Sequence, residues 1–151
     1  MSLEKDIKQA KFRNEHHKGA INIIYTYNWM MERQKAFFDA ESITPQQFNI
    51  LRILRGSFPG PISTLQIRER MLDKMSDTSR IVDRLVLKGL ADKKISITDK
   101  RLVDISITER GKEILERIDQ KHDKIDAILD NLSEEDAKLL NALLDKIRDK
   151  D

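Results

Sequence analysis

Two clusters in this chain have the residue types and spacing to bind a polyanion. The first lies between Ser76 and Lys88. Placed on a helix at 100° per residue, Ile81, Val82, Leu85 and Gly89 fall on one side, and Arg80, Asp83 and Arg84 fall opposite. Ser76 sits near the N-terminal end of that outer face, with Asp77 and Ser79 flanking it. Hydroxyls and free N–H groups at a helix N-terminus can hold phosphate, and an arginine can fork onto O6 and N7 of guanine in a major groove. The second cluster is Asp99-Lys100-Arg101. Arg101 suits a minor groove, whose negative potential attracts a guanidinium. Asp99, two residues away, can hold that guanidinium by charge-assisted hydrogen bonds. The same residues also suit a solvated helix face and a polar turn, and the clusters taken singly do not decide between these readings.

Other chemistries are poorly supplied. With no Cys, the chain has no disulfide, thiolate nucleophile, zinc ribbon or thiol-based peroxide sensor. It contains neither a P-loop nor a dinucleotide fingerprint, and its carboxylates are scattered over helix surfaces. The expectation is a chain that is not an enzyme, with no catalytic residues, no cofactor and no metal site. His16, His17 and His122 do not alter this, because neighbouring histidines on a helix diverge by about 100°.

The elements that must position the two clusters are legible in the apolar spacing. The length of 151 residues suits one domain, or one domain extended by a dimerisation arm. With 36% charged residues but only 3 Pro and 5 Gly, long helices and few loops are expected, and an all-β sandwich is excluded. The spacing predicts a first helix from about Lys5 to Phe38, buried on more than one face over the uncharged run Gly19–Met31. A small domain cannot easily bury that run alone, so a partner is needed. Thr44-Pro45 caps a second helix that runs to Gly56. Ser63 caps a short third helix with Leu65 inward, and Ser76 caps a fourth that ends at Gly89. Leu90–Ile97 and Leu102–Ile107 read as two strands of a hairpin turning at Thr98-Asp99-Lys100. Thr108 caps a helix through Ile114, Leu115, Ile118, Ile125, Ile128 and Leu129 to Leu132, and Ser133 opens the last one. The predicted fold is mainly α, an α+β winged helix: four helices, a β-hairpin, then two helices.

Charge distribution agrees with the first paragraph. Net charge is only +2, yet Ile62–Arg101 carries ten basic residues against six acidic. A positive field centred mid-chain is what a DNA-binding unit needs. No signal peptide is visible in the charged N-terminus, and the 13-residue uncharged run is too short for a bilayer. A cytoplasmic protein with no membrane partner is expected.

The stretch Ser79–Leu90 (SRIVDRLVLKGL) resembles the recognition-helix segment of the MarR family of bacterial transcription regulators. Asp99-Lys100-Arg101 is similar to that family's Asp-x-Arg wing motif, and Ile107-Thr108-Glu109-Arg110-Gly111 to its Leu-Thr-x-x-Gly junction. The three pieces stand in the family's order and spacing, and the resemblance covers about Thr44 to Leu115 in detail. It implies a homodimer of winged helix-turn-helix subunits, with residues 44–107 binding DNA and residues 1–40 and 108–151 supplying long N- and C-terminal dimerisation helices. The implied function is a sequence-specific double-stranded DNA-binding regulator, expected to repress, on a pseudo-palindromic operator. Ser76, Ser79, Arg80 and Arg84, flanked by Asp77, would face the major groove or its phosphates. Arg101 would enter the minor groove beside Lys100, with Asp99 as its orienter, while Ser63 and Lys74 would touch phosphate. A small aromatic or anionic effector is a further implication, with His17, Tyr25, Trp29 and Arg33 as candidate residues. Tyr25, Trp29 and Arg33 share one helix face, although aromatics at that spacing are also ordinary core. The competing reading is a winged-helix protein-interaction module without DNA binding.

Overall fold

The computed structural model describes residues 2–121, 123 and 127–149. The chain divides into two compact units, Met1–Leu115 and Glu116–Asp151. The first contains α1 (Leu3–Asp6), α2 (Glu15–Ala40), α3 (Pro45–Ser57), β1 (Ile62–Ser63), α4 (Thr64–Arg70), α5 (Thr78–Leu87), β2 (Ala91–Ile95), β3 (Val103–Ile107) and the start of α6 (Glu109–Asp119). The second contains the end of α6, a 3-10 turn at Ala127–Leu129, and α7 (Glu134–Arg148). This is the mainly α winged-helix class expected, with more elements than the spacing predicted.

Local capping explains where most helices begin. Thr44 and Gln47 form a capping box at α3, Ser63 and Gln66 another at α4, and Ser133 and Asp136 a third at α7. In each, the Ncap hydroxyl accepts a backbone N–H that the helix leaves unpaired, and the N3 side chain returns the bond.

The first periodic stretch, expected as one helix from Lys5, is broken. α1 stops at Asp6, Lys8 takes a φ of 53°, and α2 restarts at Glu15. Asn14 caps the restart by accepting the His17 N–H at 2.9 Å. That cap satisfies a donor which the helix would otherwise leave open. Residues 8–14 carry few apolar groups with which to hold a continued helix.

The core of the first unit gathers Ile50, Leu51 and Leu54 of α3, Ile67 of α4, Val82 and Leu85 of α5, and Ile105 of β3, all essentially inaccessible. Leu65, expected inward, is 60% exposed; with the cap at Ser63, Ile67 takes the core position, one turn before the buried Met71. The sheet is antiparallel in the order β1-β3-β2, with Ile62 opposite Ile105, Ala91 opposite Ile107 and Ile95 opposite Val103. β1 was not anticipated, since two residues are too few to show alternation.

The helix opened by Thr108 ends at Asp119, well short of Leu132. Ile114, Leu115 and Ile118 are buried as expected. The residues at and just past its end, Asp119, Gln120 and Lys121, carry no apolar side chain to bury. Ile125 and His122 lie outside the described residues, while Ile128 and Leu129 belong to the 3-10 turn.

Two helices keep apolar surface that this chain does not cover. On α2, Ile23, Ile24 and Tyr27, within the uncharged run expected to need a partner for its burial, are exposed in the single chain. On α7, Leu139, Leu143 and Ile147 are exposed. Among the described residues, no helix is long and apolar enough to cross a membrane.

Candidate nucleic-acid interface

α5 begins one residue later than expected. Asp77, not Ser76, is its Ncap, and its Oδ1 accepts the Arg80 N–H at 3.2 Å. A carboxylate there gains from the helix dipole as well as from the hydrogen bond, an advantage a serine lacks. Val82 and Leu85 are buried and Ile81 half-buried, which leaves Ser79, Arg80, Asp83 and Arg84 exposed. Asp83 is committed elsewhere: it pairs with Lys93 of β2 at 2.8 Å, tying the helix to the hairpin. Among the described residues, the guanidinium groups of Arg80 and Arg84 have no ion-pair or hydrogen-bond partner. The outer face therefore presents two unneutralised arginines.

The helix ends on Gly89, at φ 70°, in a Schellman motif. The Leu90 N–H donates to the Leu85 carbonyl and the Gly89 N–H to the Val86 carbonyl, both at 2.9 Å. Leu85 and Leu90, which meet in such a motif, are both buried. Thr108 then fastens this corner to α6. Its Oγ1 donates to the Gly89 carbonyl at 2.7 Å and accepts the Gly111 N–H at 3.1 Å, and its own N–H donates to the Leu90 carbonyl at 3.2 Å. A Cβ on Gly111 would lie 2.4 Å from the Leu90 oxygen, so only glycine fits. The Thr-x-x-Gly junction is thus a joint between the end of α5 and the return from the hairpin.

The tip of the hairpin is internally braced. The Ser96 N–H donates to the Leu102 carbonyl at 3.0 Å, the Leu102 N–H to the Asp99 carbonyl at 2.9 Å, and the Ser96 and Thr98 hydroxyls lie 3.0 Å apart. Asp99 receives Arg101 as a fork: Nε on Oδ1 and Nη2 on Oδ2, each at 3.0 Å, with the Arg101 backbone N–H also on Oδ1 at 3.0 Å. These bonds hold the Asp99 carboxyl below the ordinary aspartate range and raise the Arg101 guanidinium above its own. The Arg101 side chain nevertheless stays 89% exposed. The fork uses two of its five N–H donors and leaves three outward. Lys100 beside it is exposed.

The remaining expected contacts are less free. The Ser63 hydroxyl accepts the Gln66 N–H at 3.2 Å, and the Lys74 ammonium donates to the Glu69 carbonyl. Ser76 is half-buried. The four candidate effector residues do not all line one groove. Tyr25 and Trp29 line a groove of about 320 Å³ with Asn22, Thr26, Ser2, Leu3 and Asp6, but His17 and Arg33 do not. His17 lies at the start of α2, where its Nδ1 accepts the Arg13 N–H at 3.3 Å. Arg33 stacks on Trp29, 3.8 Å from the ring centre. Among the described residues, the charged group lining the groove is the Asp6 carboxylate, contributed by α1, which the sequence pattern had merged into α2. The Asp83–Lys93 tether and the exposed Ile95 and Ile97 also escaped sequence reasoning. The spacing of Asp83 and Lys93 is neither a helical nor a hairpin repeat.

No protein-family profile matches the chain. The HTH-type transcriptional regulator MhqR of Bacillus subtilis is 27% identical over 122 residues, 80% of this chain and 83% of that protein. The HTH-type transcriptional repressor MdtR of the same organism is 32% identical over 73 residues, 48% of this chain and 46% of that protein. A cysteine-to-serine mutant of MarR from E. coli, solved in complex with operator DNA, superposes with a TM-score of 0.79 at 22% identity, over 91% of this chain and 99% of that one. BpsR of Bordetella bronchiseptica, whose DNA binding is regulated by 6-hydroxynicotinic acid, superposes with a TM-score of 0.79 at 18% identity, over 94% and 100%.

Proposed function

We propose that this chain, a MarR-family winged helix-turn-helix protein, binds double-stranded DNA as a homodimer and regulates transcription from a pseudo-palindromic operator. Residues 44–107 would contact DNA, and residues 1–40 and 108–151 would form the dimer. α5 would enter the major groove, with Ser79, Arg80 and Arg84 toward bases or phosphates, and the hairpin would place Arg101 in the adjacent minor groove. Two-fold symmetry would set half-site centres about 34–36 Å apart. Repression, the action in MdtR's name, is our reading here as well.

The observation that carries this reading is the Asp99–Arg101 fork. It orients a guanidinium at the hairpin tip while leaving that group almost entirely in solvent. Such pre-orientation removes part of the ordering cost of inserting the side chain into a groove. The uncovered apolar faces of α2 and of α7 support the dimer, because each exposes large aliphatic side chains that a second copy could bury. The groove beside Tyr25 and Trp29 is the candidate effector site. With Asp6 on its wall, an uncharged aromatic molecule fits it better than an anion.

The test is a mobility-shift assay on the control region beside the chain's own gene. Arg101→Ala should lose at least about tenfold in affinity while the dimer stays intact. Normal binding by that variant would overturn the wing assignment. Absence of salt-dependent DNA binding by the wild type, together with capture of a protein partner, would favour the interaction module instead.

A further inference from the structure

The hairpin tip carries apolar residues that the proposed DNA contact does not use. Ile97 is 97% exposed, and Ile95 and Leu102 are also open to solvent. Ile95 stands opposite Val103 in the register, two residues beyond the Lys93–Ile105 pair whose Ile105 is in the core. The apolar strip of the hairpin thus runs past the edge of the core and ends at the tip, beside Lys100 and Arg101. Single exposed aliphatics are common on protein surfaces. Here three lie within the eight residues 95–102, on a loop braced by Ser96, Thr98, Asp99 and Leu102.

We propose that Ile97 is a specificity-determining residue, which packs against the floor and walls of the minor groove and makes the tip reject G·C base pairs. The inference rests on the DNA-binding reading given above. Its occupant, a minor groove, is chosen by charge: the same tip carries Lys100 and Arg101, whose cations suit that groove's negative potential. In the minor groove, A·T and T·A pairs present only acceptors, adenine N3 and thymine O2, which the three outward N–H donors of Arg101 can meet. A G·C pair adds the guanine N2 amino donor at the floor. An aliphatic side chain lying there cannot accept that donor's hydrogen bond and would strip it of water, which is unfavourable. Arg101 supplies attraction and Ile97 supplies rejection, and a specific site needs both.

The experiment uses the full-length chain and a duplex selected by it from a random pool, with the steps protected by the hairpin located by hydroxyl-radical footprinting. Those steps are rebuilt as A·T, as G·C and as inosine·C, which keeps the major-groove face of G·C but lacks the N2 amino group. The wild type should bind the A·T and inosine·C duplexes about tenfold more tightly than the G·C duplex. Ile97→Ser should bind all three within about twofold of one another, with an unchanged melting temperature because the side chain is solvent-exposed. An Ile97→Ser variant that keeps the full preference for inosine·C over G·C would overturn the proposal, since the amino group would then be rejected by something else. Equal binding of all three duplexes by the wild type would also overturn it. Failure to select any duplex would refute the DNA-binding reading itself, and is distinguishable from the other outcomes for that reason.

Discussion

Gly111→Ala tests whether the joint between α5, the hairpin and α6 is as tight as its geometry indicates. The added Cβ would lie 2.4 Å from the Leu90 carbonyl oxygen and 2.8 Å from Ile107 Cγ1. Ile107 can rotate, but the Leu90 oxygen is backbone and also accepts the Thr108 N–H at 3.2 Å. Relief therefore requires α6 to move away from the corner that ends α5. Overpacking of this kind costs roughly 1–3 kcal/mol, against a helix-propensity gain of at most about 1 kcal/mol for Ala over Gly. With rotamer relief closed for the nearer contact, a net loss of about 2 kcal/mol is expected, or about 4–8 °C in melting temperature for a chain of this size. Gly56→Ala is the matched control. That glycine lies within α3 with nothing within 4 Å of the added Cβ, so the same substitution should stabilise by roughly 0.5–1 kcal/mol. Both are read by thermal unfolding at one fixed protomer concentration, since a dimer's melting depends on concentration. A Gly111→Ala protein that melts at or above the wild type would refute the reasoning.

Thr108→Val removes the hydroxyl that bonds Gly89 and Gly111; it should lower the urea midpoint by the equivalent of about 1–2 kcal/mol, and an unchanged midpoint would contradict the joint. Because the Asp99 carboxyl is held below its ordinary range in the folded chain, the fork's contribution is fully present above the unfolded aspartate value and is lost as pH falls through the lowered folded value. Arg101 mobility, followed by side-chain NMR, should therefore stay constant from pH 8 to 5 and rise only in stronger acid, whereas Asp99→Asn should show the mobile state at every pH. Leu143→Glu, placed on the exposed stripe of α7, should shift the mass seen by light scattering toward that of one chain, and an unchanged mass would remove α7 from the dimer interface.

What was legible in advance was whatever depends on near neighbours. Thr44-Pro45 and Ser133 announced their helices because a cap is settled by residues three positions apart. Gly89 announced the end of α5 for the same reason. Val103, Ile105 and Ile107 showed strand alternation, and the placement of Asp99 and Arg101 predicted an ion pair that the geometry contains as a fork. What escaped depends on distant partners. β1 is two residues long and exists only because Ile62 meets Ile105. Periodicity alone ran α1 into α2, and Asn14, a capping residue, was passed over as the signal of a restart. The merging also hid a neighbour of the candidate effector residues, because α1 contributes Asp6 to the groove that Tyr25 and Trp29 line. The spacing put the cap of α5 at Ser76, whereas Asp77, an equally good capping residue, holds it. Thr78 is buried directly after the cap, which fixes where the helix must start.

The most direct test of the whole account is the salt dependence of DNA affinity. The logarithm of the binding constant is measured against the logarithm of salt concentration, for the wild type and for a variant combining Arg80→Ala, Arg84→Ala and Arg101→Ala. Each phosphate contact contributes about 0.9 to the slope on B-form DNA. If at least one of these arginines per protomer meets a phosphate, a dimer should lose at least about 1.8. The account predicts that shallower line, with folding and dimer mass unchanged. Two parallel lines would mean that the arginines exposed on α5 and at the hairpin tip do not face the nucleic acid, and would contradict it.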